Sequence, residues 1–232
     1  MAPPPVPASQ QTLSLLSTLH SQSLAQEAAL PPSTFKDIRS KDEFDALMLD
    51  KFIALEQDKC AFVYTLLRAI DARTVVEAGT SFGVSTIYLA LAVGQNVAAA
   101  KVGDARGNGK VIATEKEVEK AERAKGYWAQ AGKEIESVID LRVGDLRETL
   151  KEDLGVVDFL LLDIWTPLAL PALQMVQPYM RPGALIVADN TVSSAEGYKE
   201  LFEYVDREGS PFRRITLPYR GGLDLITYEP KT

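Results

Sequence analysis

Short apolar runs and longer amphipathic segments alternate along the chain from residue 74 onward. The short runs are rich in β-branched residues and leucine, which is typical of strands, and the segments between them have helical composition. A repeated strand-then-helix order predicts a parallel sheet covered by helices on both faces. The predicted strands are 74–78, 110–114, 138–143, 158–162 and 184–188, then a terminal antiparallel pair at 212–217 and 223–228, and the predicted helices between them are 85–92, 116–131, 169–180 and 197–207.

The first third of the chain carries helical patterns. Helices are expected at 12–29, 42–55 and 56–70, with apolar residues spaced to cover the start of the sheet or another subunit. The Pro-rich start predicts a disordered tail, and the Gly- and Asp-containing segment 103–109 predicts an exposed, mobile loop. The chain is therefore expected to divide into a tail (1–10), N-terminal helices (11–72) and one α/β domain (73–232).

Composition and charge narrow the possible functions. The net charge is -7 and no Lys/Arg tract is long enough to bind a phosphate backbone, so no nucleic-acid partner is expected. No apolar run approaches the ~20 residues of a membrane span, and no signal peptide is recognisable, which favours a cytoplasmic protein. The single cysteine, Cys60, excludes an internal disulfide, and the single histidine, His20, disfavours histidine-based metal or triad chemistry within one subunit.

The first predicted strand leads into a glycine turn and then directly into a helix. The turn from Glu77 to Gly83 has the pattern E-x-G-x-x-x-G, which differs from the G-x-G-x-x-G of dinucleotide enzymes. Glycines relieve the backbone where a Cβ atom would crowd a ligand, so a ligand is expected above Gly79. An ordinary strand-turn-helix of another α/β protein is the alternative, and a nicotinamide oxidoreductase is a distant one.

Acidic residues follow the ends of five successive predicted strands. Ligands of open α/β sheets bind beyond the carboxyl ends of the strands, so these side chains are expected at one edge of the sheet. An acidic residue at the end of the second strand is placed to accept hydrogen bonds from a ribose, and the residues after the third strand to flank an adenine. The five residues are Glu77, Glu115, Asp145, Asp163 and Asp189.

Two of these carboxylates and a neighbouring amide predict a metal site. Asp163, Asp189 and Asn190 supply only hard oxygen ligands, which suits Mg²⁺. A divalent cation that binds a phenol or catechol oxygen lowers the pKa of that hydroxyl and orients it for attack on a methyl group.

Five motifs together resemble those of one family. They are VVEAGTSFGVST, VIATE, VGD, FLLLDIW and ALIVADNT. The sequence resembles the cation-dependent class I S-adenosylmethionine O-methyltransferases typified by catechol and caffeoyl-coenzyme A O-methyltransferases. The resemblance implies a Rossmann-like class I methyltransferase fold: a mostly parallel seven-stranded sheet with a terminal antiparallel strand, helices on both faces and extra N-terminal helices.

The resemblance also implies residue roles, cofactors and partners. The expected cofactors are S-adenosylmethionine and Mg²⁺ or another divalent cation, the expected substrate is a small catechol-like or phenolic acceptor, and the N-terminal helices are expected to cover the acceptor and support a homodimer. By resemblance, the catalytic centre comprises Asp163, Asn190 and Trp165; the cofactor is bound by Glu77, Gly79, Ser81, Ser85, Glu115, Asp145, Leu146 and Asp163; and the metal is held by Asp163, Asp189 and Asn190.

The sequence departs from the family at Thr166, where a lysine commonly serves as the general base. A threonine hydroxyl does not accept a proton near neutral pH. Three interpretations stay open: the metal alone acidifies the acceptor, another residue such as Lys199 is the base (Arg220 is too basic to deprotonate), or methyl transfer is altered or lost. The alternatives to a metal-assisted enzyme are therefore a metal-independent or altered methyltransferase and a cofactor-binding protein without methyl transfer.

Overall fold

The strands of the computed structural model, which describes residues 5–31, 34, 40–100 and 107–231, form one mixed sheet. Within these residues the sheet has seven strands in the order β3-β2-β1-β4-β5-β7-β6. Strands β1 to β5 run parallel, and β7 pairs antiparallel with both β5 and β6. The predicted fold class is confirmed. The strands are β1 (Thr74–Ala78), β2 (Lys110–Glu115), β3 (Ile139–Val143), β4 (Val157–Leu162), β5 (Met180–Asp189), β6 (Phe212–Leu217) and β7 (Leu223–Tyr228).

Helices cover both faces of the sheet, because successive residues of a strand point to opposite faces. Val75 and Phe159 face the core beneath α1, α3, α4 and α5, whereas Val76 and Leu160 face the core beneath α7, α8 and α9. The helices are α1 (Gln10–Ala28), α2 (Lys41–Met48), α3 (Gln57–Ala69), α4 (Val84–Ala98), α5 (Val118–Ala131), α6 (Lys133–Glu136), α7 (Leu146–Thr149), α8 (Ala169–Val176) and α9 (Lys199–Asp206).

Two predicted helices are shorter in the structure. The helix predicted at 42–55 ends at Met48, because the chain then follows α1: the Ala54 N–H donates to Ser23 Oγ at 2.9 Å and the Phe52 N–H donates to the Gln26 side chain. The helix predicted at 169–180 ends at Val176 and is followed by a short 3₁₀ turn. Pro178 in that turn has no N–H to continue an α-helix.

The predictions for the chain start and for the loop 103–109 are only partly covered by the described residues. Val6 belongs to the predicted disordered tail 1–10 but is buried against the core, so the prediction does not hold at that residue. Residues 1–4 lie outside the described residues. Most of the predicted loop 103–109 likewise lies outside them.

The first helix packs against its own chain. Thr12 Oγ1 donates to the Ala131 carbonyl at 2.9 Å, and His20 Nε2 lies 2.9 Å from the Tyr88 hydroxyl. The single histidine is thus a buried contact between α1 and α4. Among the described helices, none combines the length and the apolar character needed to cross a membrane.

Asp158 joins the start of β1 to the rest of the sheet. Its buried carboxylate accepts the N–H groups of Arg73 at 2.7 Å and Thr74 at 2.9 Å, and pairs with Arg181 Nε at 2.5 Å. Asp158 is the second residue of β4, so these hydrogen bonds join the amino end of β4 to the amino end of β1, at the edge of the sheet opposite the candidate site.

We expect Asp158→Ala to lower the free energy of unfolding by about 3 kcal/mol, because it leaves two backbone donors and a guanidinium without their acceptor. The control is Glu122→Ala, which breaks the exposed Glu122–Lys125 pair at 2.7 Å and is expected to cost less than about 1 kcal/mol. Urea unfolding of both variants measures the difference, and equal losses would contradict this role of Asp158.

Candidate functional site

The candidate site lies at the carboxyl ends of β1 and β4. The helix after β1 packs on one face of the sheet and the helix after β4 on the other, which opens a crevice between the two strands. The segments that leave the strands are fixed to each other: the Asp163 N–H donates to the Ala78 carbonyl at 3.1 Å, and the Thr80 N–H donates to the Thr114 carbonyl at 2.9 Å.

Gly79 is the residue that lets these segments meet. Its φ is +96°, and a Cβ atom at this position would lie 2.0 Å from the Asp163 carbonyl oxygen. Both its backbone conformation and its closeness to Asp163 therefore require glycine.

Glu77 stabilises the glycine turn through hydrogen bonds. Its carboxylate is fully buried and accepts hydroxyl hydrogen bonds from Thr80 at 2.7 Å, Ser85 at 2.6 Å and Thr86 at 2.6 Å. Burial raises the pKa of Glu77, and the three hydroxyl donors oppose that shift. With both oxygens engaged inside the protein, Glu77 positions the turn and the start of α4. The contact of Glu77 with the cofactor stays a prediction.

A narrow cavity opens above the turn. It brings together four predicted cofactor residues, and the segment after α2 covers it. Phe52 of that segment stacks on Phe82 of the turn with ring centroids 4.7 Å apart. The lining residues are Gly79, Thr80, Ser81, Phe82, Val84, Ser85 and Asp163 on one side and Phe52, Ile53, Ala54 and Leu55 on the other.

Glu115 lies at the end of β2 beside this cavity. Its carboxylate accepts the N–H of Ser81 at 2.7 Å and the N–H of Glu117 at 2.8 Å, and burial raises its pKa. A half-buried carboxylate attached to the turn is a suitable acceptor for the hydroxyls of a ribose.

The residues predicted near adenine lie after β3. Asp145 caps α7 by accepting the N–H of Arg147 at 2.9 Å and also pairs with the Arg147 guanidinium, while Leu146 is buried. Neither residue lines the cavity, and their contact with adenine stays a prediction.

Asp189 at the end of β5 forms a buried ion pair with Lys59 of α3. The distance from Lys59 Nζ to Asp189 Oδ1 is 2.6 Å, and the two side chains are 1% and 3% exposed. The same ammonium contacts Glu56 Oε2 at 2.8 Å, and Asn190 Nδ2 donates to Asp189 Oδ2 at 2.8 Å. Both carboxylate oxygens of Asp189 are therefore occupied by donors of this chain.

Burial and charge shift the pKa values of this group. Burial raises the pKa of Asp189 to about 6, and Lys59 opposes the rise. Burial raises the pKa of Asp163 well above its usual value, as do the charges of Asp189 and Glu77. Burial alone would lower the pKa of Lys59, but its hydrogen bonds to Asp189 and Glu56 raise it, so the ammonium stays charged.

Sequence reasoning did not select Lys59. The usable signal is its position: Lys59, Val63 and Leu67 follow at intervals of four and all lie on the buried face of α3. A lysine on the apolar stripe of a helix needs a buried partner, but the sequence does not show that the partner is 130 residues away.

The predicted metal ligands do not fit a divalent cation in this arrangement. Asp189 already has an ammonium on one oxygen and an amide donor on the other, and Asn190 directs its N–H toward Asp189. In the part of the chain that the structure describes, no group of three or more His, Cys, Asp or Glu side chains is arranged to hold a metal ion. The prediction of Mg²⁺ at Asp163, Asp189 and Asn190 is not supported by this donor set.

Thr166 begins a 3₁₀ turn after β4 and packs against Gly197, where a Cβ atom would lie 1.8 Å from the threonine hydroxyl. Lys199, which the sequence offered as a substitute base, is exposed at the start of α9. Trp165 is half-buried beside Thr166, and its role in the acceptor site stays a prediction.

The fold and the glycine turn define a Rossmann-like protein with a ligand site at the end of β1. The profile of the methyltransferase domain family matches residues 76–191, half of the chain, and this range includes the turn, Asp163 and Asp189. The chain belongs to this family.

Curated relatives agree with that assignment. The chain is 25% identical over 156 residues to a protein named probable caffeoyl-CoA O-methyltransferase 2 of Dictyostelium discoideum, covering 65% of this chain and 62% of the relative. It is 28% identical over 144 residues to a catechol O-methyltransferase of Niastella koreensis, covering 60% of this chain and 59% of the relative. The match thus spans about 60% of the length of these relatives, and the resemblance found in the motifs is confirmed.

Solved structures share the fold. An O-methyltransferase from Bacillus cereus in complex with SAH superimposes with a TM-score of 0.66 at 17% identity, covering 91% of this chain and all of that one. The O-methyltransferase TomG from Streptomyces achromogenes, in complex with SAM, gives 0.65 at 21% identity, covering 96% of this chain and all of that one.

We expect Gly79→Ala to destabilise the protein by more than about 3 kcal/mol, since it combines backbone strain with a clash against the Asp163 carbonyl. Gly155→Ala is the matched control, because Gly155 also has a positive φ, +69°, but no atom near the position of a Cβ. We expect that control to cost about 1–2 kcal/mol from strain alone. Urea unfolding compares the two, and equal costs would show that the close approach of Gly79 to Asp163 is unimportant.

Proposed function

We propose that this protein transfers the methyl group of S-adenosylmethionine to a hydroxyl oxygen of a small aromatic acceptor. The observation that carries the proposal is the cavity over the glycine turn, in which Gly79, Ser81, Ser85 and Asp163 meet beside Glu115. Membership of the methyltransferase domain family and the names of the curated relatives support it.

The donor set of the cavity suits the cofactor. Glu115 offers a carboxylate to the two ribose hydroxyls, as acidic residues at the end of a second strand do in nucleotide sites. Ser81 and Ser85 offer hydroxyl groups at the turn and the start of α4, and the Ser81 hydroxyl is buried and has no hydrogen-bond partner among the described residues. A buried hydroxyl without a partner, on a residue that lines the cavity, is consistent with a ligand that completes its hydrogen bonding.

Methyl transfer depends more on the orientation of the acceptor and the cofactor than on acid–base catalysis. When bound, S-adenosylmethionine supplies a methyl group activated by a sulfonium. The acceptor oxygen bonds to that methyl carbon as the carbon–sulfur bond breaks, S-adenosylhomocysteine leaves, and the hydroxyl proton passes to solvent or a base. The chain contributes the turn that positions the cofactor and the segment 52–55 that covers it and excludes water.

A divalent cation does not enter this proposal, because both carboxylate oxygens of Asp189, one of the ligands expected to hold it, are engaged with Lys59 and Asn190. Metal-independent methyl transfer, which the sequence left open as the alternative, is the interpretation that this arrangement favours. The homodimer, the cytoplasmic location and the covering of the acceptor by the N-terminal helices stay predictions.

We expect the protein to bind S-adenosylhomocysteine and Glu115→Ala to weaken that binding by about 10- to 100-fold, since it removes a charged acceptor worth about 1.5–3 kcal/mol. Glu119→Ala is the control, because Glu119 is exposed on the first turn of α5, and its affinity should match that of the native protein. Isothermal calorimetry measures both. Equal affinities in the two variants would remove Glu115 from the cofactor site.

Turnover is tested by incubating the protein with S-adenosylmethionine and catechol and detecting both products by mass spectrometry. We expect S-adenosylhomocysteine and a singly methylated catechol in equal amounts. Cofactor binding without product for catechol and for other phenols would favour the cofactor-binding protein without methyl transfer, and absence of cofactor binding would contradict the proposal.

A further inference from the structure

The Lys59 side chain is a buried cation near the carboxyl end of β5. Its side chain is 1% exposed and its ammonium lies between two carboxylates, 2.6 Å from Asp189 and 2.8 Å from Glu56. An ammonium so far from solvent is tolerated only with such partners. Glu56 precedes α3 and Asp189 ends β5, so the ion pairs fix the start of α3 to the edge of the sheet.

The Lys59 ammonium contacts the carboxylate oxygen of Asp189 that is not bonded to Asn190. Mg²⁺ binds carboxylate oxygens at 2.0–2.1 Å, and the Lys59 nitrogen already lies 2.6 Å from Asp189 Oδ1. The other carboxylate oxygen accepts an N–H from Asn190 at 2.8 Å. A divalent cation and an ammonium a few ångströms apart would also repel each other strongly in a buried site.

We propose that the Lys59 ammonium takes the place of a divalent cation as the permanent counter-ion of Asp189, and that this protein methylates its acceptor without a metal. Lys59 is a positioning residue in this account: it neutralises Asp189 and fixes the carboxyl end of β5 against α3. The part concerning methyl transfer rests on the proposed function, whereas the part concerning the counter-ion rests on the ion pair alone.

The test is a titration of the full chain with Mn²⁺, followed by the electron paramagnetic resonance signal of the free ion. We expect no saturable site in the native protein up to about 1 mM, the weak limit of hard-cation sites. Lys59→Met removes the ammonium and keeps an unbranched side chain, so it is expected to gain one saturable site that the double variant Lys59→Met/Asp189→Asn loses. Lys125→Met is the matched control, because Lys125 pairs with Glu122 on the exposed face of α5, and it should bind no Mn²⁺.

Saturable binding in the native protein that Asp189→Asn abolishes would overturn the proposal. A folded Lys59→Met variant, checked by circular dichroism, that binds no Mn²⁺ would overturn it as well. Should Lys59→Met not fold, Lys59→Leu, which also removes the N–H donor from Asp189, replaces it; should neither fold, the native titration decides, since binding contradicts the proposal and its absence supports it.

A second measurement separates this proposal from the proposed function. Formation of S-adenosylhomocysteine with an active acceptor is expected to agree within about twofold in excess EDTA and in excess Mg²⁺. A more than tenfold loss in EDTA would overturn metal independence while leaving methyl transfer intact. Failure to bind S-adenosylhomocysteine would instead refute the proposed function and leave the Mn²⁺ result to be judged by itself.

Discussion

The parallel pairing of β1, β2, β4 and β5 is the constraint from which the site follows. Parallel strands direct their carboxyl ends to one edge, so residues far apart in sequence meet there without any specific attraction between them. Two backbone hydrogen bonds, from Asp163 to Ala78 and from Thr80 to Thr114, then fix the segments that leave the strands. The side of the cavity formed by the glycine turn and Asp163 is therefore set by the sheet, and the segment 52–55 forms the other side.

Gathering carboxylates at one buried edge costs free energy, and the chain offsets this cost in two ways. Glu77 is surrounded by three hydroxyl donors of the turn and α4, all within nine residues of it in sequence. Asp189 is instead neutralised by an ammonium from the helix before β1. The three hydroxyl hydrogen bonds to Glu77 fix the shape of the turn, whereas the ion pair neutralises Asp189 with a cation of the chain itself.

This chain shares its fold with the methyltransferase domain family, and it differs from the resembled O-methyltransferases in residues near the strand ends. The glycine turn and the Asp-Asn pair after β5 carry the resemblance to caffeoyl-CoA and catechol O-methyltransferases. Thr166 and Lys59 both differ from what a metal-assisted mechanism needs: a threonine hydroxyl is not a general base near neutral pH, and the Lys59 ammonium pairs with Asp189, which we propose it neutralises in place of a metal. Their combination gives a consistent account of a site in which cofactor binding is kept and the source of positive charge has changed.

The sequence predicted the strands well because their apolar runs are short and bounded by turns; β1, β6 and β7 have the predicted limits. It predicted the end of α2 and the start of β5 poorly, since the contacts of Phe52 with α1 and the pairing of Met180 with Val157 are tertiary. It placed the acidic residues at one edge, which follows from topology. It did not predict how each is neutralised, because that depends on side chains such as Lys59 that only folding brings near.

The most direct measurement of the central claim is a crystal structure of the protein with S-adenosylhomocysteine, grown in MnCl₂ and recorded at a wavelength where manganese scatters anomalously. The account predicts the ligand above Gly79 with its ribose at Glu115, Lys59 in hydrogen-bond contact with Asp189, and no anomalous peak between Asp163 and Asp189. A manganese peak bound by Asp163, Asp189 and Asn190, with Lys59 displaced, would contradict it.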